Sequence, residues 1–298
     1  MGTECPKKQI KKSQPIALDV QSRDEWIAAT LAGKKAGVKI FWTDHADFRS
    51  WVLQNVDKKG KNLIGKRIIK LMDIPAKIIM ISEFEANWLK KNVSSRKLKN
   101  LTVIKNGAID RFSDYYEIRP KRANFCYVGR IVEEKGIKDL LNAFNVVYKK
   151  FNKATLDLYG DGPEKYKKLA ECNSNITFYG NTDEPLAAMA GAEVFVLPSY
   201  KEGLSLSLLE AAMMGKTIIA TNVDGNPEIV LDKKTGLLVP VHHSELLAEA
   251  MIEVVKNKEI SNDLAKNARV YYKENFDFER RFVFAFSSAF LIFADFSA

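Results

Sequence analysis

The segment EVFVLPSYKEGLSLSLLEAAMMGKTIIAT, residues 193–221, carries the pattern that decides the fold. It opens with the apolar run EVFVL, passes through a loop with proline and glycine into SLSLLEAAMMG, and closes with TIIAT. Two short β-branched runs joined by a segment of helical period are typical of a β-α-β unit on a parallel sheet. The segment therefore predicts an α/β protein.

Similar strand signals recur on both sides of this unit. The further runs with β-branched or aromatic residues between turn residues lie at 38–42, 77–82, 101–105, 124–128, 155–159, 176–179 and 236–240. About six strands follow residue 123, which is enough for a doubly wound sheet. Only about three precede it, which is few for a closed α/β layer. We therefore expect the chain to lack the start of its first domain.

A domain boundary is predicted from a change in pattern near residue 120. A chain of 298 residues is long enough for about two domains. The stretch 106–124, NGAIDRFSDYYEIRPKRAN, starts with a turn signal and shows neither helical nor strand period. We predict domains at 1–118 and 119–298. The final residues of the second, which include FAFSSAFLIFADFSA, are atypical of a closing helix.

Charge is distributed unevenly between these halves. Residues 1–122 carry 26 Lys and Arg against 13 Asp and Glu, whereas residues 123–298 carry 20 against 24. A basic first half suits an anionic membrane surface, an acidic substrate or nucleic acid, and it is equally typical of a solvated lysine-rich surface. The chain has no zinc-finger spacing, RRM-type motif or basic-aromatic interleaving, so nucleic acid is not predicted as a partner.

The cellular location is predicted from the cysteine spacing and from the absence of targeting and membrane-spanning signals in this sequence. Its three cysteines are widely spaced and form no CxxC pair, which suits a reducing compartment. The basic N-terminus has no apolar signal-peptide core, and no run reaches the ~18 apolar residues of a membrane span. We expect a cytoplasmic protein, with a peripheral position at the inner face of the membrane as an option.

Chemistry-bearing residues follow several strands of the second half. Gly129, Arg130 and Lys135 follow NFCYV, Asn181 follows ITFYG, and PSYKEG follows EVFVL. In open α/β sheets the carboxyl ends of the strands form the ligand-binding edge. Two basic side chains beside a helix N-terminus suit a diphosphate. The chain has neither the P-loop pattern nor the third glycine of a dinucleotide fingerprint, so an ATPase or dehydrogenase is not supported.

Two glutamates, Glu202 and Glu210, lie eight residues apart in the deciding segment. On a continuous helix that spacing spans ~12 Å, which is too far for the close carboxylate pair of a retaining glycosidase. Instead the two side chains suit the two ends of an elongated ligand. A carboxylate two turns into the helix suits a ribose diol, as the acidic residue does in other nucleotide folds.

These residues resemble the retaining glycosyltransferases of family 4, which have the GT-B fold. The resemblance lies in VGRIVEEKGIKDLLNAF, LDLYGDGPEKYKKL, ITFYGN and residues 196–240, where an E-x(7)-E signature runs from Glu202 to Glu210. In the first half, FWTDHADF (41–48) is similar to that family's His-containing loop. The resemblance implies two Rossmann-like domains facing a cleft, the N-terminal one incomplete.

The resemblance also implies how the donor is bound. Arg130 and Lys135 match the basic pair that holds the donor diphosphate, and Glu210 matches the glutamate on the ribose hydroxyls. Asn181 lies where the family contacts the base.

The remaining implied positions surround the transferred sugar. Glu202 matches the glutamate near that sugar, and the backbone N–H groups of Gly203, Leu204 and Ser205 reach sugar or phosphate. His45 is the candidate catalytic residue on the acceptor side. The family typically needs no dissolved metal, so we expect neither metal nor cofactor.

The implied reaction is hexosyl transfer from a nucleoside diphosphate sugar, with a UDP-sugar favoured, to a glycan or lipid-linked acceptor with retention of anomeric configuration. Two other functions stay open from the sequence. The chain could be a truncated, non-catalytic nucleotide-sugar-binding or interaction protein, because its first domain is short of strands. A GT-B epimerase is a third option, although the E-x(7)-E context favours transfer.

Overall fold

The computed structural model describes residues 15–21, 23–45, 63–121 and 123–279, together with positions 13 and 49. The chain divides into two compact units, residues 1–105 and 106–298. Each unit contains one parallel β-sheet with helices connecting its strands. The predicted α/β class with two Rossmann-like units is therefore confirmed. The prediction of an atypical C-terminus concerns residues from 280 onward, which lie outside the described residues.

The first unit contains a four-stranded parallel sheet in the order β1-β2-β3-β4. Its strands are β1 (Ala17–Val20), β2 (Lys39–Asp44), β3 (Lys77–Met80) and β4 (Leu101–Val103), and its described helices are α1 (Arg23–Ala36), α2 (Leu63–Leu71) and α3 (Glu83–Asn92). The sequence predicts only the last three strands. It misses β1 because this edge strand has four residues, includes Asp19 and buries only Val20 fully.

Two stacked tryptophans form the centre of the first unit's core. The rings of Trp26 in α1 and Trp42 in β2 lie 4.7 Å apart at 8° and are fully buried. Each indole N–H has an acceptor, since Trp26 donates to the Val20 carbonyl at 2.9 Å and Trp42 to the Thr30 hydroxyl at 2.8 Å. Buried indoles are stable when this donor is satisfied. The pair therefore ties α1 to the sheet.

The second unit contains a six-stranded parallel sheet in the order β10-β9-β8-β5-β6-β7. Its strands are β5 (Asn124–Val128), β6 (Thr155–Tyr159), β7 (Ile176–Gly180), β8 (Val194–Leu197), β9 (Thr217–Thr221) and β10 (Leu237–Val239). Its helices are α4 (Ile137–Lys150), α5 (Lys165–Ala170), α6 (Pro185–Ala190), α7 (Leu206–Met213), α8 (Asn226–Ile229), α9 (Ser244–Lys256) and α10 (Lys258–Asn275). This order is that of a doubly wound dinucleotide-type sheet.

The central strands are apolar throughout because both faces of the sheet are covered. β8 and β9 are buried at every position, as expected for a parallel sheet between two helical layers. On one face Phe125 of β5 packs edge-to-face on Phe144 of α4, with ring centroids 6.1 Å apart. This core fixes where β5 and β8 end, and so where the loops after them begin.

Residues 106–118 pack on the second unit. The structure divides the units after Lys105, whereas the sequence predicts the division after residue 118. Asp110 forms an ion pair with Arg269 of α10 at 2.6 Å, and the Arg111 N–H donates to the sulfur of Met213 at 3.3 Å. Tyr272 also donates to the Ala108 carbonyl at 2.6 Å. These contacts are non-local and leave no periodic signal in the sequence.

Candidate functional site

The candidate site lies where the strand order of the second sheet reverses. β5 and β8 are neighbours, although β6 and β7 come between them in the chain. Connections leave such a point in opposite directions, which opens a crevice at the carboxyl ends of the two strands. The β5–α4 loop (129–136) and the β8–α7 loop (198–205) meet here, and the Tyr200 N–H donates to the Glu134 carbonyl at 2.8 Å.

A glycine allows these two loops to touch. Gly136 has φ +67°, a conformation that favours glycine. A Cβ at this position would lie 2.0 Å from the carbonyl oxygen of Pro198. Any larger residue would therefore push the loops apart, so Gly136 sets their spacing.

Lys135 and Glu202 form an ion pair across the loops. The Lys135 Nζ lies 2.5 Å from Glu202 Oε1, and the two side chains are 19% and 9% exposed. The bond is charge-assisted, and both groups are largely shielded from water, so removal of either partner would leave a buried charge unpaired. The structure thus brings together two predicted site residues that are 67 positions apart in the chain.

Arg130 lies in the same loop, with an exposed side chain. Its main chain is held by Tyr127, whose hydroxyl donates to the Arg130 carbonyl at 2.7 Å. Tyr127 is fully buried, and this burial raises the pKa of its phenol well above the ordinary value. Tyr127 therefore stays a neutral donor, and Arg130 extends from an anchored position.

The N-terminus of α7 lies directly after Glu202. Ser205 is the N-cap residue, and its hydroxyl accepts a bond from the Leu208 N–H. Within the part of the chain that the structure describes, the N–H groups of Gly203, Leu204 and Ser205 have no acceptor. Free N–H groups at a helix start, beside a lysine and an arginine, suit an anion.

Glu210 lies within α7 and is half-buried. Burial raises the pKa of its carboxyl group, and no described residue pairs with it. The sequence predicts a loop at PSYKEG and a helix at SLSLLEAAMMG, so Glu202 is expected before the helix that carries Glu210. In the structure α7 begins only at Leu206, so Glu202 lies in the loop and the helical spacing does not apply to the pair.

Asn181 follows β7 at the same edge of the sheet. Its side chain is exposed, and its amide donates to the carboxylate of Asp161, which follows β6. The Asp161 carbonyl in turn accepts from the Ile131 N–H at 2.7 Å. Asn181 is therefore connected through the β6–α5 loop to the loop that carries Arg130 and Lys135.

His45 belongs to the first unit. It follows the last residue of β2 and is exposed, at the carboxyl edge of the four-stranded sheet. The rest of the predicted His-containing loop, residues 46–48, lies outside the described residues. Its assignment as the acceptor-side residue stays a prediction.

Three residues support the site without any local signal of that role in the sequence. Tyr127 anchors Arg130, Tyr200 donates to the Asp139 carboxylate of α4 at 2.8 Å, and the Asp224 carboxylate accepts from the Glu202 N–H at 3.1 Å. Tyr200 and Asp224 lie in loops, where hydrogen-bond partners depend on strand order. The Asp224-Gly225 dipeptide is a turn signal, but it does not say which loop the turn contacts.

The arrangement suits an elongated anionic ligand. Cationic groups and free N–H groups lie at one place, a loop carboxylate lies beside them, and another carboxylate lies further along α7. Among the described residues, no group of three or more His, Cys, Asp or Glu side chains could hold a metal ion. No described helix is long and apolar enough to cross a membrane.

Comparison with known families identifies the class of protein to which this site belongs. Residues 109–271 match the family described as Glycosyl transferases group 1. The match covers more than half of the chain and includes every site residue of the second unit. The chain belongs to this family of glycosyltransferases.

Curated relatives are longer than the matched part of this chain. The chain is 29% identical over 232 residues to an uncharacterized glycosyltransferase, MJ1069, of Methanocaldococcus jannaschii. The aligned region covers 73% of this chain and 58% of that protein. It is 33% identical over 153 residues to a GDP-mannose-dependent alpha-(1-6)-phosphatidylinositol monomannoside mannosyltransferase of Mycobacterium tuberculosis. That alignment covers 47% of this chain and 40% of the mannosyltransferase. The chain thus spans about half the length of these relatives.

Solved structures show the same fold. Anabaena Alr3699/HepE in complex with UDP superposes with a TM-score of 0.80 at 16% identity, over 95% of this chain and 82% of that one. This likeness agrees with the GT-B fold that the sequence predicts.

Proposed function

We propose that the chain transfers a hexosyl group from a nucleoside diphosphate sugar, most favourably a UDP-sugar, to a glycan or lipid-linked acceptor with retention of anomeric configuration. The observation that carries this proposal is the Lys135–Glu202 pair at the switch point, beside Arg130 and the free N–H groups before α7. Family membership supports transfer as the reaction. The UDP bound by HepE supports uracil as the base of the donor.

The diphosphate is proposed to bind between the two loops. Arg130 and Lys135 would contact its oxygens, and the N–H groups of Gly203, Leu204 and Ser205 would complete the contact. Each charge-assisted hydrogen bond is worth about 1.5–3 kcal/mol. We propose no metal or cofactor, because these cationic and N–H groups already complement the diphosphate charge.

The nucleoside is proposed to extend from the diphosphate along the same edge of the sheet. Glu210 would accept hydrogen bonds from the ribose hydroxyls, for which its half-buried carboxylate has no described competitor. Asn181 would contact the base through its exposed amide.

Transfer is proposed to depend on stabilising the departing nucleoside diphosphate. As the C1–O bond to the diphosphate breaks, negative charge grows on the leaving oxygen, and Arg130, Lys135 and the helix terminus stabilise that charge. A leaving-phosphate oxygen takes the proton of the acceptor hydroxyl while the acceptor oxygen bonds to C1 from the same face. Glu202 would position the sugar, with His45 on the acceptor side.

An anionic membrane surface is proposed as a further partner, through helix α2 of the first unit. Its sequence LIGKRIIKL contains no acidic residue, and Lys66, Arg67 and Lys70 are exposed along one stripe. Leu63 and Ile64 at its start are 60% and 44% exposed. Basic side chains beside exposed aliphatic ones suit the interface of an anionic bilayer. This surface would bring the chain to a lipid-linked acceptor at the cytoplasmic face.

Vesicle sedimentation tests the membrane proposal. We expect binding to phosphatidylcholine vesicles only when they contain phosphatidylglycerol, and loss of binding in the variant Lys66→Glu/Arg67→Glu/Lys70→Glu. A matched control changes the exposed lysines Lys149, Lys150 and Lys153 of the second unit to glutamate. Equal binding to neutral and anionic vesicles, or equal losses in both variants, would show that α2 is not a membrane surface.

Calorimetric titration with UDP and GDP tests the donor site. Wild type should bind UDP saturably and more tightly than GDP, and Arg130→Ala and Glu210→Ala should weaken binding. Lys149→Ala, which removes an exposed lysine from the far end of α4, serves as the control. Failure of the folded wild type to bind either nucleotide would refute the donor site.

Turnover of a UDP-sugar tests transfer itself. Release of UDP above the rate of Glu202→Ala supports transfer. Binding without turnover would instead support the non-catalytic nucleotide-sugar-binding alternative. Isomerised donor without nucleotide release would indicate an epimerase.

A further inference from the structure

Asp224 contacts the β8–α7 loop at the residue that bears the candidate catalytic carboxylate. It lies in the loop after β9, is 9% exposed, and its Oδ2 accepts from the Glu202 N–H at 3.1 Å. An ionised carboxylate bonded to a backbone N–H makes a charge-assisted bond, which is stronger than a bond to a neutral acceptor. This contact fixes the main chain at Glu202.

The last residue of β9 and the loop after it contact the β8–α7 loop at further points. Thr221 donates through its hydroxyl to the Ser199 carbonyl, at the start of the β8–α7 loop. One residue beyond Asp224, a Cβ on Gly225 would lie 1.9 Å from the Gly203 carbonyl oxygen. Residues 221–225 thus lie alongside the β8–α7 loop from Ser199 to Gly203.

The backbone of Asp224 is itself unusual. Its φ is +46°, in the left-handed region, where glycine is favoured and Asp is one of the few other residues accommodated. Non-glycine residues in this region cluster at functional sites, where surrounding contacts hold them. Here the conformation accompanies the contact between the Asp224 carboxylate and the N–H of Glu202.

We infer that Asp224 is a positioning residue for sugar transfer: it holds the main chain of Glu202 so that the Glu202 carboxylate meets Lys135 and the donor sugar. The inference rests on the proposed function, because Glu202 is proposed to position the sugar that is transferred. It predicts that loss of the Asp224 carboxylate lowers the turnover number more than it changes donor affinity.

Three variants separate the carboxylate from the backbone conformation. Asp224→Gly keeps the left-handed conformation and removes the acceptor, whereas Asp224→Asn keeps both an acceptor oxygen and tolerance of positive φ. Asp232→Gly, at an exposed aspartate, is the control in the same unit. Asp232 also accepts a backbone N–H, from Leu238 of β10 at 2.9 Å, but Asp232 precedes that strand and so lies towards the opposite edge of the sheet.

Amide hydrogen exchange tests the positioning without any need for turnover. We expect Asp224→Gly to speed exchange of the Glu202 amide at least tenfold, Asp224→Asn to restore most of the protection, and Asp232→Gly to leave it unchanged. Unchanged exchange at Glu202 in a folded Asp224→Gly protein would overturn the inference.

Kinetics test the link to transfer. Asp224→Gly should lower kcat at least tenfold with less than a threefold change in the donor KM, and Asp224→Asn should recover most of this loss. In a Glu202→Gln background Asp224→Gly should cause no further loss, because it acts through Glu202. A further loss there would overturn the inference. Absence of turnover in wild type would refute the proposed function, while exchange at Glu202 would still decide whether Asp224 holds that residue.

Discussion

Replacing Glu202 by glutamine separates the two roles of its ion pair with Lys135. In the ligand-free chain the Lys135 ammonium is held by the Glu202 carboxylate at 2.5 Å. A donor diphosphate has to draw that ammonium away or share it, so part of its binding energy is spent on the pair. Glu202→Gln removes the competing charge and keeps the size of the side chain.

The expected effects on UDP affinity have opposite signs for the two partners. If breaking the pair costs about 1.5 kcal/mol, Glu202→Gln should bind UDP about tenfold more tightly than wild type, while its sugar transfer falls. Lys135→Met removes a contact worth about 1.5–3 kcal/mol and should weaken UDP binding by about ten- to hundredfold. Tighter UDP binding together with slower sugar transfer would indicate that Glu202 acts on the sugar and not on the diphosphate.

Isothermal titration of UDP into wild type, both single variants and the double variant gives all four affinities. The double variant should bind like Lys135→Met alone, because Glu202 affects UDP only through Lys135. Asp114→Asn is the control, since it neutralises a carboxylate in an exposed pair with Arg111 at 2.9 Å. Weaker UDP binding by Glu202→Gln than by wild type would refute the reasoning.

Three further predictions follow from burial and backbone geometry. Lys216 is 8% exposed, and this burial lowers its pKa from 10.5 to about 8. Between these two pH values the unfolded state binds more protons at Lys216 than the folded state does. The free energy of unfolding therefore rises with pH over this range. From pH 7 to 9.5 wild type should gain about 2 kcal/mol of unfolding free energy relative to Lys216→Met in urea titrations, and a constant difference would contradict the lowered pKa. Gly136→Ala should lower the free energy of unfolding by more than about 2 kcal/mol and should weaken UDP binding. Gly37 is the control, because its φ of +71° is similar but no atom lies within 4 Å of where its Cβ would be. Gly37→Ala should lower the free energy of unfolding by about 1 kcal/mol in the same titrations. Glu210→Gln should weaken UDP binding about tenfold but leave binding of inorganic diphosphate unchanged, and equal losses for both ligands would exclude a ribose contact.

The second sheet was predictable because each of its strands has a distinct local sequence pattern. β5, β6 and β9 have the bounds that the sequence gives, since each is a β-branched or aromatic run ended by glycine or a polar turn. α4 and α7 follow from helical period in the same way. The edge strand β1 was not predictable, because a four-residue run with one fully buried side chain has no distinct period.

The position of the candidate site residues in the fold was predictable from the sequence, but their contacts were not. Arg130, Lys135 and Glu202 each follow a strand, and the rule that ligands bind at carboxyl ends places them on one edge. That Lys135 pairs with Glu202 depends on β5 lying next to β8, which no local pattern reveals. The support from Tyr127 and Asp224 is non-local in the same sense.

The meeting of the β5–α4 and β8–α7 loops also bears on how the protein folds. The loops lie more than 60 residues apart in the chain, as in the 67-residue separation of Lys135 and Glu202. Contacts of such long sequence separation form slowly, because the entropy of closing the intervening chain is lost before the contact is gained. Helices α4 and α7 can form early, but the crevice between them exists only after β8 has docked on β5. Recovery of nucleotide binding during refolding should therefore lag behind recovery of helical circular dichroism and mark the completion of the native sheet.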